Sequence, residues 1–542
     1  MNHSNKRNDY DVIVGGAGPV GLVLSIDLGR RGVRVLLLER DPTTKPYPKM
    51  DRSNARTMEI FRRLGFVDRV RALGFPPEIP MDVFIVTRLC DQPLLTLEYP
   101  SVAEYRKRIA ESTDGSLPLE PYQLVAQNDL EPLLLEIAFD TPNVNIRYAC
   151  ELLSFNQTDT QVQVKTRSKD GSEGVHTARY LVGADGGSST VRKQLDIALE
   201  GQGGLGKLTQ VIFHSDDLFE KIPISKGRHY AFADERALAM VVQGNRREFS
   251  LHALLPPETD FAPLIRDLMG FPFSFEIKHV LPWQQNLLIA ERYREQNVFL
   301  AGDAIHLLIP TGGLGMNSGV GDALDLSWKL AGTLHGWGGP ALLDAYEIER
   351  RPVAERNREA SGWAAAGVPE WKNLVKPHVR DDTPEGEVLR AEITEAARDN
   401  HARMHGMIGV ELGYTYAGSP LIATEPGDTP AWEISSYTPH ARPGVRIPHM
   451  WLQDGRALQD LLGMDYTLLD LCGDFGVGPL EQAFRERGAP LEVVRLDEPQ
   501  IRDSFEASAL LLRPDLHIVW RGHSPPEDPA ALAGLATGHQ SL

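Results

Sequence analysis

Three stretches of this 542-residue chain place bare backbone and an acid at the end of an apolar run. In the first, Gly16-Ala17-Gly18-Pro19-Val20-Gly21 follows Tyr10–Gly15, and Glu39 closes the next apolar run. Glycines at this spacing permit a tight turn, close approach of backbone to a pyrophosphate and tight helix–strand packing, while an acid about 20 residues on can accept from a ribose hydroxyl. In the second, Tyr180–Gly183 leads into Ala184-Asp185-Gly186-Gly187, then Ser188, Ser189, Thr190 and Arg192. Asp185 can serve a ligand there, or only cap the helix that the hydroxyl residues announce. In the third, Val298–Ala301 ends in Gly302-Asp303, and Pro310-Thr311-Gly312-Gly313-Leu314-Gly315 precedes a helical pattern from Asn317. A strand end, an acid, bare backbone and a helix N-terminus together suit a polar, partly anionic ligand.

The elements that must position these groups follow from periodicity. Tyr10–Gly15 and Val33–Leu38 read as buried strands around a helix over Leu22–Leu28, the context that turns the first glycine motif into an adenine dinucleotide site. Gly201–Gly206 has the same glycine spacing but lies between a helical segment and a strand-like run (Thr209–Phe213), and is predicted to be a loop. Residues 49–65 form a basic loop entering an amphipathic helix. Arg52 and Arg56 are either a solvated turn or contacts to the cofactor's phosphates. A helix is predicted over 122–138, with Gln127 near its start.

Residues 205–290 hold mostly strand-sized runs, which argues for an inserted sheet-rich domain. His229, Tyr230 and His252 are its pocket candidates, although a lone His or Tyr on such a sheet is more often a satisfied core or surface residue. Residues 320–365 are helical, with the charged run Glu347–Arg358 expected on the surface. The chain divides into a discontinuous dinucleotide-binding domain (1–79, 122–195, 284–365), a sheet domain (80–121, 196–283), a helical and linker region (366–442) and a unit of βαββ order (443–542). The fold class is α/β, Rossmann-like, with the last unit thioredoxin-like. Without CxxC that unit cannot exchange dithiols.

Net charge is −18, from 56 basic and 74 acidic residues, which argues against nucleic acid or anionic membrane as partner. No apolar run is long enough to span a bilayer, and the polar start lacks a signal-type segment. Cys90, Cys150 and Cys472 stand far apart in no metal or redox spacing, so no metal site is expected and a reduced, cytoplasmic setting is.

Taken in order, GAGPVGL with Glu39, GADGGSSTVR at 183–192 and VFLAGDAIHLLIPTGGLGMNSGVGDALDLSWKLAG at 298–332 resemble the FAD-dependent aromatic hydroxylases. These are single-component flavoprotein monooxygenases of the phenol hydroxylase and 3-(3-hydroxyphenyl)propionate hydroxylase type. RIPHMWL at 446–452 and LLLRPDLHIVWRG at 510–522 resemble that family's redox-inactive thioredoxin-like domain. The resemblance implies that Gly16, Gly18 and Gly21 hold the FAD pyrophosphate and Glu39, with Arg40 beside it, the adenosine side. It further implies that Arg56, Gln127 and Asp185 contact cofactor and that Asp303 binds its ribityl or pyrophosphate part. Pro310 to Asn317, including Gly313, Leu314, Gly315 and Met316, would lie along the isoalloxazine.

Asp51 and Pro310 are the catalytic candidates, Asp51 as the base that deprotonates a phenol; a surface turn is its other reading. The family pattern breaks at Ile309 and Thr311, where substrate choice is expected to show, at Asp325, where Asn is frequent, and at Lys49, where Arg is common. The implied activity is NAD(P)H- and O2-dependent hydroxylation, usually ortho, of a small phenolic aromatic through a flavin C4a-hydroperoxide. The alternatives are an FAD-dependent epoxidase or tailoring oxygenase on a larger polycyclic, polyketide-like substrate, or a flavin halogenase. A homodimer is compatible with either.

Overall fold

The computed structural model describes residues 9–427 and 429–539. Its first sheet runs Arg294–Glu295, Val298–Leu300, Tyr180–Gly183, Val12–Gly15, Val35–Leu38, Val144–Arg147, all parallel but the first. The four middle strands are buried at every residue and rich in Val, Ile and Leu, as a parallel sheet covered on both faces demands. Helices Pro19–Arg30 and Gly315–Leu334 pack together in this core, and an antiparallel ribbon adds Val162, Val164 and Ala178. Register decides what happens next. Gly15 lies opposite Gly183, and Gly183 opposite Leu300. Three loops, 16–18, 184–187 and 301–303, therefore leave one edge of the sheet side by side.

The second sheet has eight strands, ordered His306–Leu307, Glu276–Ala290, Leu199–His214, Glu248–Ala253, Ala237–Val242, His229–Phe232, Val83–Val86, Leu95–Leu97. One face buries Phe84, Phe213, Tyr230, Met240, Phe249 and Leu251 with helix Phe261–Met269. Strand alternation puts His229, Ser250, His252, Gln210 and Trp283 on the other face. Gly201–Gly206, expected as a loop, lies inside the strand Leu199–His214. Its pairing with Glu276–Ala290 slips register between Gln202 and Gly206, and a Cβ on Gly201 would fall 2.2 Å from the Leu287 carbonyl oxygen. The glycines here build an irregular ribbon, not a phosphate turn.

The C-terminal sheet runs Leu491–Arg495, Tyr466–Asp470, Ala509–Leu512, Ile518–Gly522, with its first pair parallel and the rest antiparallel. Helices Gly478–Glu486 and Pro529–Ala536 share one core and Pro499–Phe505 another. The three cysteines are free thiols. Among the described residues no helix is long and apolar enough to cross a membrane.

The charged run expected on the surface instead sends Glu349 and Arg350 into the interior, each 2% exposed. They lie on the long helix Pro340–Lys372, where their partners come from distant chain segments. Arg513 of the C-terminal unit reaches Glu349 at 2.5 Å, Asp325 at 3.1 Å and Asp515 at 2.6 Å, while Lys329 bridges Asp325 and Glu349 at 2.7 and 2.5 Å. Three carboxylates thus share two cations in a dry interior. Burial pushes Asp325 up despite Lys329, whereas Arg513 and Lys329 outweigh burial and hold Glu349 below the ordinary carboxylate range. Arg513→Met should lower stability by about 3–5 kcal/mol, since it strands buried carboxylates. Urea unfolding checks this, and an unchanged midpoint would show that the cluster does not secure the C-terminal unit.

Candidate active site

The three loops meet through specific contacts. Gly16 takes φ +102°, and a Cβ there would lie 2.3 Å from the Ala184 carbonyl oxygen, so the first and second loops touch backbone to backbone. A Cβ on Gly21 would lie 1.9 Å from the Gly16 oxygen, which sets how closely the helix follows the turn. Gly18 caps the helix Pro19–Arg30 without any side-chain bond, and the space in front of it is open. Glu39 fixes the same turn: one oxygen accepts from the Ala17 amide at 2.8 Å, the other from the Asp41 amide at 2.9 Å. Arg40 faces solvent.

Asp185 is committed to the helix Thr190–Gln194. Its carboxylate accepts from Ser189 Oγ and from the amides of Thr190 and Val191, the capping alternative. Arg192 then ties the Gly187 carbonyl to that of Ala304, joining the second loop to the third. Asp303 is open to water yet hemmed in by protein; that crowding raises its carboxyl, with His306 and Lys49 pulling the other way. Behind it, Asp322 accepts from the Gly302 amide at 3.1 Å, His306 at 2.8 Å and Arg350 at 2.8 Å. Against its burial, Arg350 and His306 hold Asp322 below the ordinary range.

The turn at 310–317 is held from three sides. Gly312 and Gly313 adopt φ +82° and +66°. Asn317 donates to the carbonyls of Gly313 and Arg52 and accepts from the Asn54 amide, so its side chain is framework. Ser361 donates to the Ile309 carbonyl at 2.7 Å and Thr311 Oγ1 donates to the Ser361 carbonyl at 3.0 Å. Ile309 and Leu314 are buried, Met316 half-buried and Pro310 exposed. Gly315 begins the helix Gly315–Leu334 with no side-chain cap and open space before it, leaving amide donors and a helix dipole aimed outward.

Two of the residues expected to contact cofactor are bonded to protein groups. Arg56 is buried and bonds the Asp515 carbonyl at 2.8 Å and Tyr414 Oη at 3.3 Å, because its helix position points to the C-terminal unit. Gln127 is buried and donates to Glu131. The basic residue beside the turn is Arg52: its side chain lies against Gly313, over the Tyr122 ring and in an ion pair with Glu411 at 2.7 Å.

On the sheet side, Asp51 pairs with the buried Arg228 at 2.5 Å. His252 lies in the field of Asp51 with its ring edge-on to Trp283, and burial lowers its pKa. Tyr230 belongs to the opposite face, stacked on Phe84 in the core, and is not a pocket residue. Arg228, Tyr122, His405 and Glu411 carry no motif in the sequence, whereas Arg52 stands in the basic loop at 49–65.

Residues 9–361 match the family model described as FAD binding domain, and residues 440–538 the one described as aromatic-ring hydroxylase, C-terminal. The chain belongs to the FAD-dependent aromatic hydroxylases. An FAD-dependent monooxygenase (apdD) of Emericella nidulans is 33% identical over 98% of this chain and 91% of its own length. The solved structure of RebC soaked with chromopyrrolic acid and holding 7-carboxy-K252c is 32% identical, with TM-score 0.89 over 98% of this chain and 99% of that one. Aklavinone-11 hydroxylase in ternary complex with FAD and aklavinone is 30% identical, with TM-score 0.82 over 99% of each chain.

FAD is thus the cofactor of this monooxygenase, and the open glycines fit it. Gly18 has no atom within 4 Å of a Cβ position. Gly18→Ala should therefore fold with an unchanged thermal midpoint yet, with Gly18 the expected pyrophosphate contact, bind FAD at least about tenfold more weakly. Flavin absorbance per mole of protein, with a melting curve on the apoprotein, reads both. Equal FAD affinity would remove Gly18 from the phosphate site.

Proposed function

We propose that this monooxygenase uses NAD(P)H and O2 to hydroxylate a ring of a polycyclic, polyketide-like aromatic. The observation that carries the reading is the breadth of the polar inner sheet face. His229, Ser250, His252, Gln210 and Trp283 come from four strands within a run of five neighbours, with Ala237–Val242 between those of His229 and Ser250, and form a wall wider than one ring requires. The two solved neighbours described above hold large fused-ring ligands. These points favour the tailoring-oxygenase alternative over a small phenol.

FAD, when bound, supplies the redox chemistry. The protein's part is to orient, to exclude water and to manage protons. The uncapped amides at Gly315 and the adjoining helix dipole favour negative charge at the reacting ring of the cofactor. Ile309, Leu314 and Met407 form an apolar surround; Met407 reaches within 2.9 Å of a Cβ position on Gly312. Asp51 is held by Arg228, so it orients a substrate hydroxyl as part of a pair. His252, kept neutral near pH 7 by burial, is the group able to take a phenolic proton.

A panel of one-ring phenols and hydroxylated three- and four-ring quinones, each offered with NADH or NADPH, tests this. Fused-ring compounds should stimulate nicotinamide oxidation at least about tenfold over the substrate-free rate and yield a product one oxygen heavier. Stimulation by one-ring phenols alone would return the reading to a phenol hydroxylase. His252→Ala should cut hydroxylation by about 10²-fold, the usual share of a positioned base, without changing FAD content.

A further inference from the structure

Two half-buried imidazoles beside the inner sheet face have no role in the chemistry above. His229 lies on the inner face of the eight-stranded sheet, and His405 follows the helix Pro384–Ala402. Their rings are 5.5 Å apart. His401 lies 5.9 Å behind His405 and packs edge-on to Trp371. Nε2 of His405 and Nδ1 of His401 have no hydrogen-bond partner among the described residues, while the His405 and His229 rings as wholes are half-buried and so remain open to a ligand. Buried polar nitrogens without partners are costly, and a protein keeps them where something else completes the bond. The rings form no metal site: among the described residues no group of His, Cys, Asp or Glu is arranged to hold an ion.

Position ties the pair to the site. Met407, two residues past His405, packs on Gly312 of the turn beside the cofactor loop. Proceeding from that turn, one meets Met407, then His405, then His229. The pair thus lines the same space as Asp51 and His252, some distance along the sheet. The nearest cations are already matched, Arg52 with Glu411 and Arg228 with Asp51. Burial together with Arg228 and His401 keeps the His229 imidazole well below its ordinary range, and burial beside His229 does the same for His405.

We infer that His229 and His405 form a neutral hydrogen-bonding subsite that grips a hydroxyl or keto oxygen on the substrate's far ring and so sets which ring carbon faces the flavin. An uncharged imidazole pair suits a phenol or quinone oxygen better than a carboxylate, which would need a free cation. The inference rests on the polycyclic reading proposed above. His229 and His405 are positioning residues.

The test uses FAD-loaded enzyme and two probes, 1,8-dihydroxyanthraquinone and unsubstituted 9,10-anthraquinone, with binding followed by flavin difference spectra. Wild type should prefer the dihydroxy compound by about tenfold, the size of one well-made hydrogen bond. His405→Phe should abolish that preference, and His405→Gln, which keeps a neutral donor and acceptor, should restore most of it. Should His405→Phe fail to load FAD, His229→Leu is measured in its place with the same expected loss. A merely structural role would weaken both probes equally and leave the preference intact, which overturns the inference alone. Wild type that binds neither quinone overturns it together with the polycyclic reading.

Discussion

A carboxylate on a buried helix governs how this site is held. Asp322 is 1% exposed on Gly315–Leu334 and takes the Gly302 amide, His306 and Arg350 at once. A buried charge is tolerable only when fully matched, so these partners cannot drift independently. Arg350 passes the constraint on, to the Ser318 carbonyl on the same helix and to Tyr416 Oη. One turn further, Asp325 and Lys329 meet Glu349 and Arg513. The helix that presents uncapped amides at one end is thus clamped along its length by ions. The third cofactor loop, the turn at 310–317 and the C-terminal unit are all referred to it.

That arrangement gives the C-terminal unit a role that needs no thiol. Its Asp515 carbonyl receives Arg56, and its Arg513 closes the ion cluster while lying 5.0 Å over the Trp328 ring and 4.8 Å over Tyr416. Arg446, fully buried, reaches Glu59 on the helix that carries Arg56. A domain fold that elsewhere does redox work serves here as a wall whose charges complete the flavin domain's interior.

What could be read from the chain beforehand was what local chemistry dictates. Gly16, Gly18 and Gly21 with Glu39 announce their turn, because only glycine allows φ +102° against the Ala184 carbonyl and only a strand end puts an acid beside it. The failures share one cause, partners far away in sequence. Glu349 and Arg350 look like solvated charges until Arg513 and Asp322 are set beside them. Arg56, expected at the cofactor, bonds the Asp515 carbonyl, and it is Arg52 that lies against Gly313 of the turn. Gly201–Gly206 reads as a loop, yet it lies in a strand, because irregular antiparallel ribbons also need glycine. His405 carried no signal at all: nothing in HARMH at 401–405 shows that its ring will face a sheet strand more than 170 residues earlier.

The central claim is that these loops hold FAD so that one atom of O2 is delivered to an aromatic ring screened from water. Turnover under ¹⁸O2 in ordinary water, followed by mass spectrometry of the product, tests it most directly. The account predicts a product carrying one ¹⁸O, with no label when the oxygen isotope is supplied in the water instead. Label arriving from water, or consumption of NAD(P)H with no oxygen entering the product of any aromatic tried, would contradict it.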